Sequence, residues 1–390
     1  MRREGTAAPV RKPPMVTCRL CGRALESEPL LVYQGMPRAA QHLPEKRQLR
    51  ADGPVAMDLR QCGACGLVQL KAKPVPYYRE VIRATGLSEE MDAFRVAQLG
   101  AFVHAHGLSG QRVLEVGCGR GEYLTLLQRA GMDAHGVEYS REAVSHGRGR
   151  GLKVARAFLG KGAPRLPEGP FKAFFMFSFL EHLPHPGDTL RAIARNLEEG
   201  AVGLVEVPNF DMILERDLFS EFISDHLCYF TQATLTAALA LHGFEVLACT
   251  EVWHRYILSA TVRKRGLLDL SRFRAKREDL HQALHQCLDQ VPSGRVAVWG
   301  AGHQALAVLA LADLSKRIRY VVDSAPFKQG RFTPATHIPI VAPATLNMDP
   351  VDAVIVMAAS YSDEVARILQ RDYSRHLRIW ILRDSGLEPA

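Results

Sequence analysis

The chain has 390 residues, of which 47% are hydrophobic and 23% charged, and its formal net charge is +8. That length suits two or three domains rather than one, and the composition is that of a folded globular protein. No apolar run approaches the roughly 20 residues of a membrane span, and Met1-Arg2-Arg3-Glu4-Gly5 has no apolar stretch of the kind a secretory signal carries. The expectation is therefore a cytoplasmic protein with no membrane partner. The basic excess gathers in Arg2, Arg3, Arg11 and Lys12, in Lys46-Arg47, and between Arg263 and Arg277. It reads as solvated tail, loop and linker, with attraction of an anionic substrate as the functional alternative. No basic stripe interleaved with aromatics is present, so a nucleic-acid partner is not expected.

Residues 1–15 read as a disordered basic tail. Residues 16–75 make a module too small to rest on its own core, and they carry Cys18-x-x-Cys21 and Cys62-x-x-Cys65, each pair followed by glycine (Gly22, Gly66). Four thiolates from two such knuckles suit tetrahedral zinc in a structural role; redox pairs or free thiols are the alternative. Cys118, Cys228, Cys249 and Cys287 lack this spacing and read as buried apolar residues. Pro74, Pro76 and Tyr77-Tyr78 mark the exit from the module, and 88–108 reads as an amphipathic helix.

Val113-Leu114-Glu115-Val116 is a buried strand that ends in Gly117-Cys118-Gly119-Arg120-Gly121 and runs into a helix. Such glycines let the backbone approach a ligand closely. The next strand ends in Glu138, about twenty residues on, where a carboxylate takes ribose hydroxyls. The glycine spacing is one shorter than the usual dinucleotide fingerprint, and Glu115 would repel a pyrophosphate but suits a cation. Glu115, Gly117, Gly119, Gly121 and Glu138 are therefore assigned to S-adenosylmethionine, as is Ser178 at the carboxyl end of a further strand. Strands are expected at 112–116, 134–138, 171–177, 201–207, 244–249 and 256–263, giving an α/β, doubly wound sheet over 76–265. Glu206, Pro208 and Asn209 end one strand and either line the crevice or, for Glu206, form a buried paired carboxylate. Glu181 reads as favouring a helix start, and His185 as surface. After a charged helix or linker at 266–290, strands at 296–299, 318–322, 353–357 and 377–382 make a smaller Rossmann-like domain over 266–390. Its Gly300-Ala301-Gly302 turn lacks the third glycine of a dinucleotide site.

Glu115-x-Gly117-x-Gly119-x-Gly121 resembles the first motif of class I methyltransferases. The wider order of knuckles, methyltransferase sheet and Rossmann-like tail resembles the zinc-binding sugar C-methyltransferases of deoxysugar biosynthesis in bacterial natural products. That resemblance rests on Cys62–Gln69, Glu115–Gly121, Asp225–Phe230 and Val322–Gly330 with Ile338-Pro339-Ile340. It implies a nucleotide-linked keto sugar as substrate, a base that forms an enolate, and methyl transfer to carbon. It also implies His226 as that base with Asp225 beside it, His182 at the sugar or enolate oxygen, and Tyr78 near the substrate. For each, an ordinary structural role competes: loop ordering for His226, loop structure for His182, packing for Tyr78. The family commonly shows Tyr-His-Glu-His where this chain has Ile223-Ser224-Asp225-His226, and lysine near the position of His303. The tail is expected to help hold the substrate's nucleotide in preference to an independent NAD site. A non-sugar acceptor for the same architecture, and a nucleic-acid-associated zinc protein, are the other functions weighed.

Overall fold

The computed structural model describes residues 16–80, 88–373 and 375–390; the expected tail 1–15 lies outside the described residues. The chain divides into two compact units, Met1–Gly266 and Leu267–Ala390.

In the first unit the elements run β1 (Leu31–Met36), β2 (Val55–Gln61), β3 (Val68–Leu70), α1 (Glu89–His106), β4 (Arg112–Val116), α2 (Glu122–Arg129), β5 (Asp133–Glu138), α3 (Arg141–Gly149) and β6 (Lys153–Arg156). They continue through β7 (Phe171–Phe177), α4 (Pro186–Arg195), β8 (Leu197–Pro208), α5 (Phe210–Glu215), β9 (Cys228–Tyr229), α6 (Gln232–Leu241), β10 (Phe244–Val252) and β11 (Ile257–Lys264). α1 starts where the Ser88 hydroxyl accepts the Met91 N–H at 3.1 Å and stops at Gly107, whose φ is 62°. These are a side-chain N-cap and a left-handed C-cap, and they bracket the expected helix to within two residues.

Seven strands form the main sheet in the order β10-β11-β8-β7-β4-β5-β6. β6, β5, β4, β7 and β8 are mutually parallel, and β11 is antiparallel to both β8 and β10. The chain moves outward one way from β4 to β5 and β6 and the other way to β7 and β8. The switch point therefore falls at the carboxyl ends of β4 and β7, where an open α/β sheet makes its crevice. This is the class I methyltransferase fold. The parallel strands are continuous apolar runs, as burial on both faces requires: Phe171, Phe174, Phe175 and Met176 of β7 are all fully buried.

A second, antiparallel sheet has the order β1-β2-β3-β9. Its last strand comes from far along the chain: Val68 pairs with Tyr229 and Gln69 with Cys228, and the Leu70 N–H donates to the Leu227 carbonyl at 3.0 Å. The cysteine knuckles and the segment around His226 are thus stitched into one sheet. Their apolar residues belong to one core, in which Leu20, Leu59 and Leu67 join Leu180, Leu183, Phe210 and Leu235. That solves the small module's burial problem.

The second unit contains α7 (Ser271–Leu288), β12 (Val296–Trp299), α8 (His303–Leu311), β13 (Ile318–Val322), β14 (Ile340–Val341), α9 (Thr345–Met348), β15 (Ala353–Val356), α10 (Ser362–Asp372), β16 (Arg378–Arg383) and β17 (Gly386–Pro389). Its sheet has the order β14-β13-β12-β15-β16-β17, parallel except for β17. At the glycine turn, Gly300 has φ 116° and a Cβ there would stand 2.5 Å from the Met357 carbonyl oxygen. The Asp323 carboxylate accepts the Ala301 N–H at 2.8 Å and pairs with Lys328 Nζ at 2.8 Å. Among the described residues, no helix of the chain is long and apolar enough to cross a membrane.

Candidate active site and metal centre

The loop after β4 is held in a shape that L-residues resist. Gly117, Gly119 and Gly121 have φ of 71°, 55° and 90°. The N–H groups of Gly117 and Cys118 donate to the Val137 carbonyl, and the Gly119 N–H donates to Glu138 Oε2 at 3.0 Å. Glu138 Oε1 accepts the N–H groups of Tyr139 and Ser140, each at 2.8 Å. Burial raises the Glu138 pKa against the pull of these three donors. A carboxylate offers about four lone-pair sites, so one remains for a ribose hydroxyl. Glu115 lies buried on β4 and Ser178 stands exposed at the end of β7 with φ 47°, its N–H on the Glu206 carbonyl at 2.9 Å. The six residues assigned to the cofactor thus lie on adjacent strands β4, β5 and β7, five of them at or just beyond the carboxyl ends. Their acidic donor set and glycine-lined backbone fit a cationic nucleoside.

Glu206 does not line the crevice. It is fully buried, ion-paired with Arg95 at 2.5 Å and hydrogen-bonded by Gln98 at 2.6 Å and Ser259 at 2.9 Å. Asn209 caps α5 and also donates to the Arg255 carbonyl at 2.7 Å. Both are structural.

Across the crevice, the turn Leu180–His182 after β7 meets the turn Ile223–Leu227 before β9. His182 Nδ1 lies 3.0 Å from the Asp225 carbonyl oxygen, so Nδ1 carries the hydrogen and Nε2 the lone pair. The His182 and His226 rings meet edge to face with centroids 4.8 Å apart. Burial, then the neighbouring His182, holds the His226 pKa well below the ordinary histidine value. Burial lowers that of His182 as well. Behind them Glu181 is fully buried, no other residue among the described residues hydrogen-bonds its carboxylate oxygens, and burial lifts its pKa to about 8. Its Oε1 lies 3.8 Å from His182 Nε2.

The Asp225 carboxylate faces away from the His226 ring. Its Oδ1 accepts from the Tyr77 hydroxyl at 2.7 Å and its Oδ2 from the Ala40 N–H at 2.7 Å. Tyr77, not Tyr78, is the tyrosine joined to this cluster. Tyr78 accepts from Arg79 Nε at 3.0 Å, packs edge-on against Phe158 and lines a separate cleft of about 400 Å³ with Lys161 and His185. His226 faces a cavity of about 80 Å³ beyond the carboxyl end of β8.

The four knuckle cysteines converge. Cys18 and Cys65 sulfurs are 3.5 Å apart, Cys21 and Cys62 sulfurs 3.6 Å, and all four lie within 4.8 Å of one another. Four thiols at that spacing fit one tetrahedral metal ion with sulfur bonds of about 2.3 Å. Arg19 ties the knuckle to the active-site loop through the carbonyls of Leu70 at 3.1 Å and Pro184 at 3.3 Å.

A family model described as "Methyltransferase domain" matches residues 89–248, the stretch that holds the glycine loop, Glu138 and both histidines. The chain is an S-adenosylmethionine-dependent methyltransferase. A second model, "C-methyltransferase C-terminal domain", matches 265–381 of the enzyme. The C-methyltransferase NovU of Streptomyces niveus is 23% identical over 389 aligned residues, covering 90% of this chain and 91% of that one. A ubiquinone biosynthesis O-methyltransferase of Methylococcus capsulatus is 33% identical over 105 residues, 25% of this chain and 44% of its own. Among solved structures, a methyltransferase from Mesorhizobium loti is 16% identical with a TM-score of 0.36, covering 43% of this chain and 96% of its own.

Sequence reasoning did not find three features of the enzyme. Glu181 reads from the sequence as a helix-start residue; only its enclosure by the segment before β9, whose Leu227 N–H donates to the Glu181 carbonyl at 2.8 Å, makes it a buried acid beside His182. The sequence reading puts Tyr78 near the substrate, whereas Tyr77 is the one that bonds to Asp225 and Tyr78 lines the separate cleft. Tyr256, at the cavity of His226, carried no sequence signal.

Proposed function

We propose that the enzyme methylates carbon in a nucleotide-linked keto sugar, with His226 as the base. The observation that carries this reading is the His226 ring, set edge to face against His182 with centroids 4.8 Å apart and facing an apolar-walled cavity at the carboxyl edge of the sheet. Histidine titrates nearest working pH of the side chains here, so it can take and release a proton.

S-adenosylmethionine, when bound, supplies an electrophilic methyl group on a sulfonium centre. Glu138 and the backbone of Gly117–Gly121 would hold its nucleoside, with Ser178 and Glu115 flanking. The chain's own residues perform the rest. His226 removes the proton next to the ketone, and the C–H electron pair becomes an enolate whose carbon takes the methyl group. His182 is fixed by the Asp225 carbonyl with Nε2 toward Glu181, and it orients the His226 ring through their edge contact. Asp225 and Tyr77 clamp the turn that carries His226. Cys18, Cys21, Cys62 and Cys65 would hold zinc as a tether for the β3–β9 pairing, without a chemical step.

Likeness to NovU over nine-tenths of the chain and the match to the C-methyltransferase tail support transfer to carbon. Incubation with S-adenosylmethionine and a panel of dTDP-4-keto sugars should give a product heavier by one methyl group; products methylated only at oxygen or nitrogen would refute it. Ile223 and Ser224, where the resembling family has tyrosine and histidine, favour a second reading, a non-sugar acceptor. Millimolar dTDP and UDP that leave the melting temperature unchanged would select it, because a bound ligand stabilises by mass action.

A further inference from the structure

The cavity in front of His226 is walled by Pro208, Phe210, Ile213 and Ile223 and has few polar groups. One of them, Tyr229, is already committed: its hydroxyl accepts the Ile223 N–H at 3.0 Å and donates to the Ile223 carbonyl at 3.1 Å. Besides His226, that leaves Glu221 and Tyr256. The Tyr256 hydroxyl donates to Glu221 Oε2, and Glu221 Oε1 has no hydrogen bond among the described residues. Burial and then Glu221 push the phenol's pKa up, so it stays a donor.

The backbone that presents Tyr256 is strained. Trp253, His254 and Arg255, between β10 and β11, have φ of 48°, 56° and 68°. Three successive L-residues in the left-handed region persist only where their surroundings over-determine them. Here Trp253 packs on Phe94 at 5.4 Å, Arg255 Nε donates to Glu251 at 2.7 Å, and Asn209 donates to the Arg255 carbonyl at 2.7 Å. The Tyr256 N–H then closes the turn on the Trp253 carbonyl at 2.9 Å. Strain so held at a cavity mouth points to a binding role for the side chain it aims.

We propose that Glu221 and Tyr256 form the polar end of the acceptor subsite, where the carboxylate, aligned by the phenol, takes a hydrogen bond from an acceptor hydroxyl and so selects hydroxylated acceptors. This rests on the keto-sugar reading and deepens it. Ile223 makes its side of the cavity apolar, and the phenol enters from a different element.

The test uses the full chain, with Glu221→Gln and Tyr256→Phe, and pairs of dTDP-4-keto sugars that differ by one hydroxyl. Loss of a hydrogen bond to a charged group should raise KM for the hydroxylated member roughly 10- to 100-fold. kcat should move little, and the preference within each pair should collapse. Affinity for S-adenosylhomocysteine and the melting temperature should match wild type. Variants that keep the wild-type preference, or that lose both members of a pair equally, overturn the proposal while leaving the keto-sugar reading intact. A wild-type enzyme that methylates no keto sugar overturns both.

Discussion

Glu181→Gln should make the enzyme less sensitive to alkaline pH. The side chain is 1% exposed, no other residue among the described residues hydrogen-bonds its oxygens, and burial raises its pKa from 4.5 to about 8. In the unfolded chain this carboxyl ionises above about 4.5; in the fold it keeps its proton up to about 8. Folding therefore takes up a proton between those values, and stability falls as pH rises through that window. At 1.36 kcal/mol per pH unit, with the slope halving as pH reaches the folded pKa, wild type loses roughly 2 kcal/mol through this one group between pH 6 and pH 8, and little more above it. Glutamine has nearly the same shape and no charge to bury, so the variant lacks this loss. Thermal unfolding of both proteins at pH 6, 7, 8 and 9 isolates the difference, since every other titrating group is shared. The gap in melting temperature should widen by roughly 5 °C or more toward pH 8 and then level. Parallel curves would show that Glu181 is ionised in the fold at neutral pH and would refute the reasoning.

His226→Asn should keep affinity for S-adenosylhomocysteine while turnover drops roughly 10²- to 10⁴-fold; the variant should also fail to exchange deuterium into the carbon beside the ketone. Unchanged exchange would demote His226 to an ordering residue. Cys62→Ser should release about one zinc ion per chain, measured by elemental analysis, and lower kcat although none of the four knuckle cysteines lines the His226 cavity, because β3 holds β9 and the turn before it. Full turnover after metal loss would sever that link.

Much of the fold was legible because it is written in local periodicity. β4, β5 and β7 are apolar runs that end in glycine, glutamate and serine, and they fall within a residue of their expected bounds. The glycine loop and four cysteines were readable because their spacing is itself the chemistry. What the sequence withheld depends on which distant segments meet. The pairing of β3 with β9 joins residues about 160 positions apart and has no local signature. Glu206 could be crevice or core until Arg95 arrived from α1 to pair with it. Asp225 was expected beside the imidazole, but the turn Ile223–Leu227 sends its carboxylate to Tyr77 and Ala40. The left-handed run Trp253–Arg255 contains no glycine, so nothing in its composition announced a turn that aims a tyrosine at the cavity.

The proposed function places the methyl group on carbon next to a ketone. The direct measurement is NMR of the product formed from a dTDP-4-keto sugar and donor carrying a ¹³C methyl group. The account predicts a labelled methyl bonded to a ring carbon beside the former carbonyl, with the proton at that carbon replaced. Label found on oxygen or nitrogen, or no labelled sugar at all while the donor is bound, would contradict it.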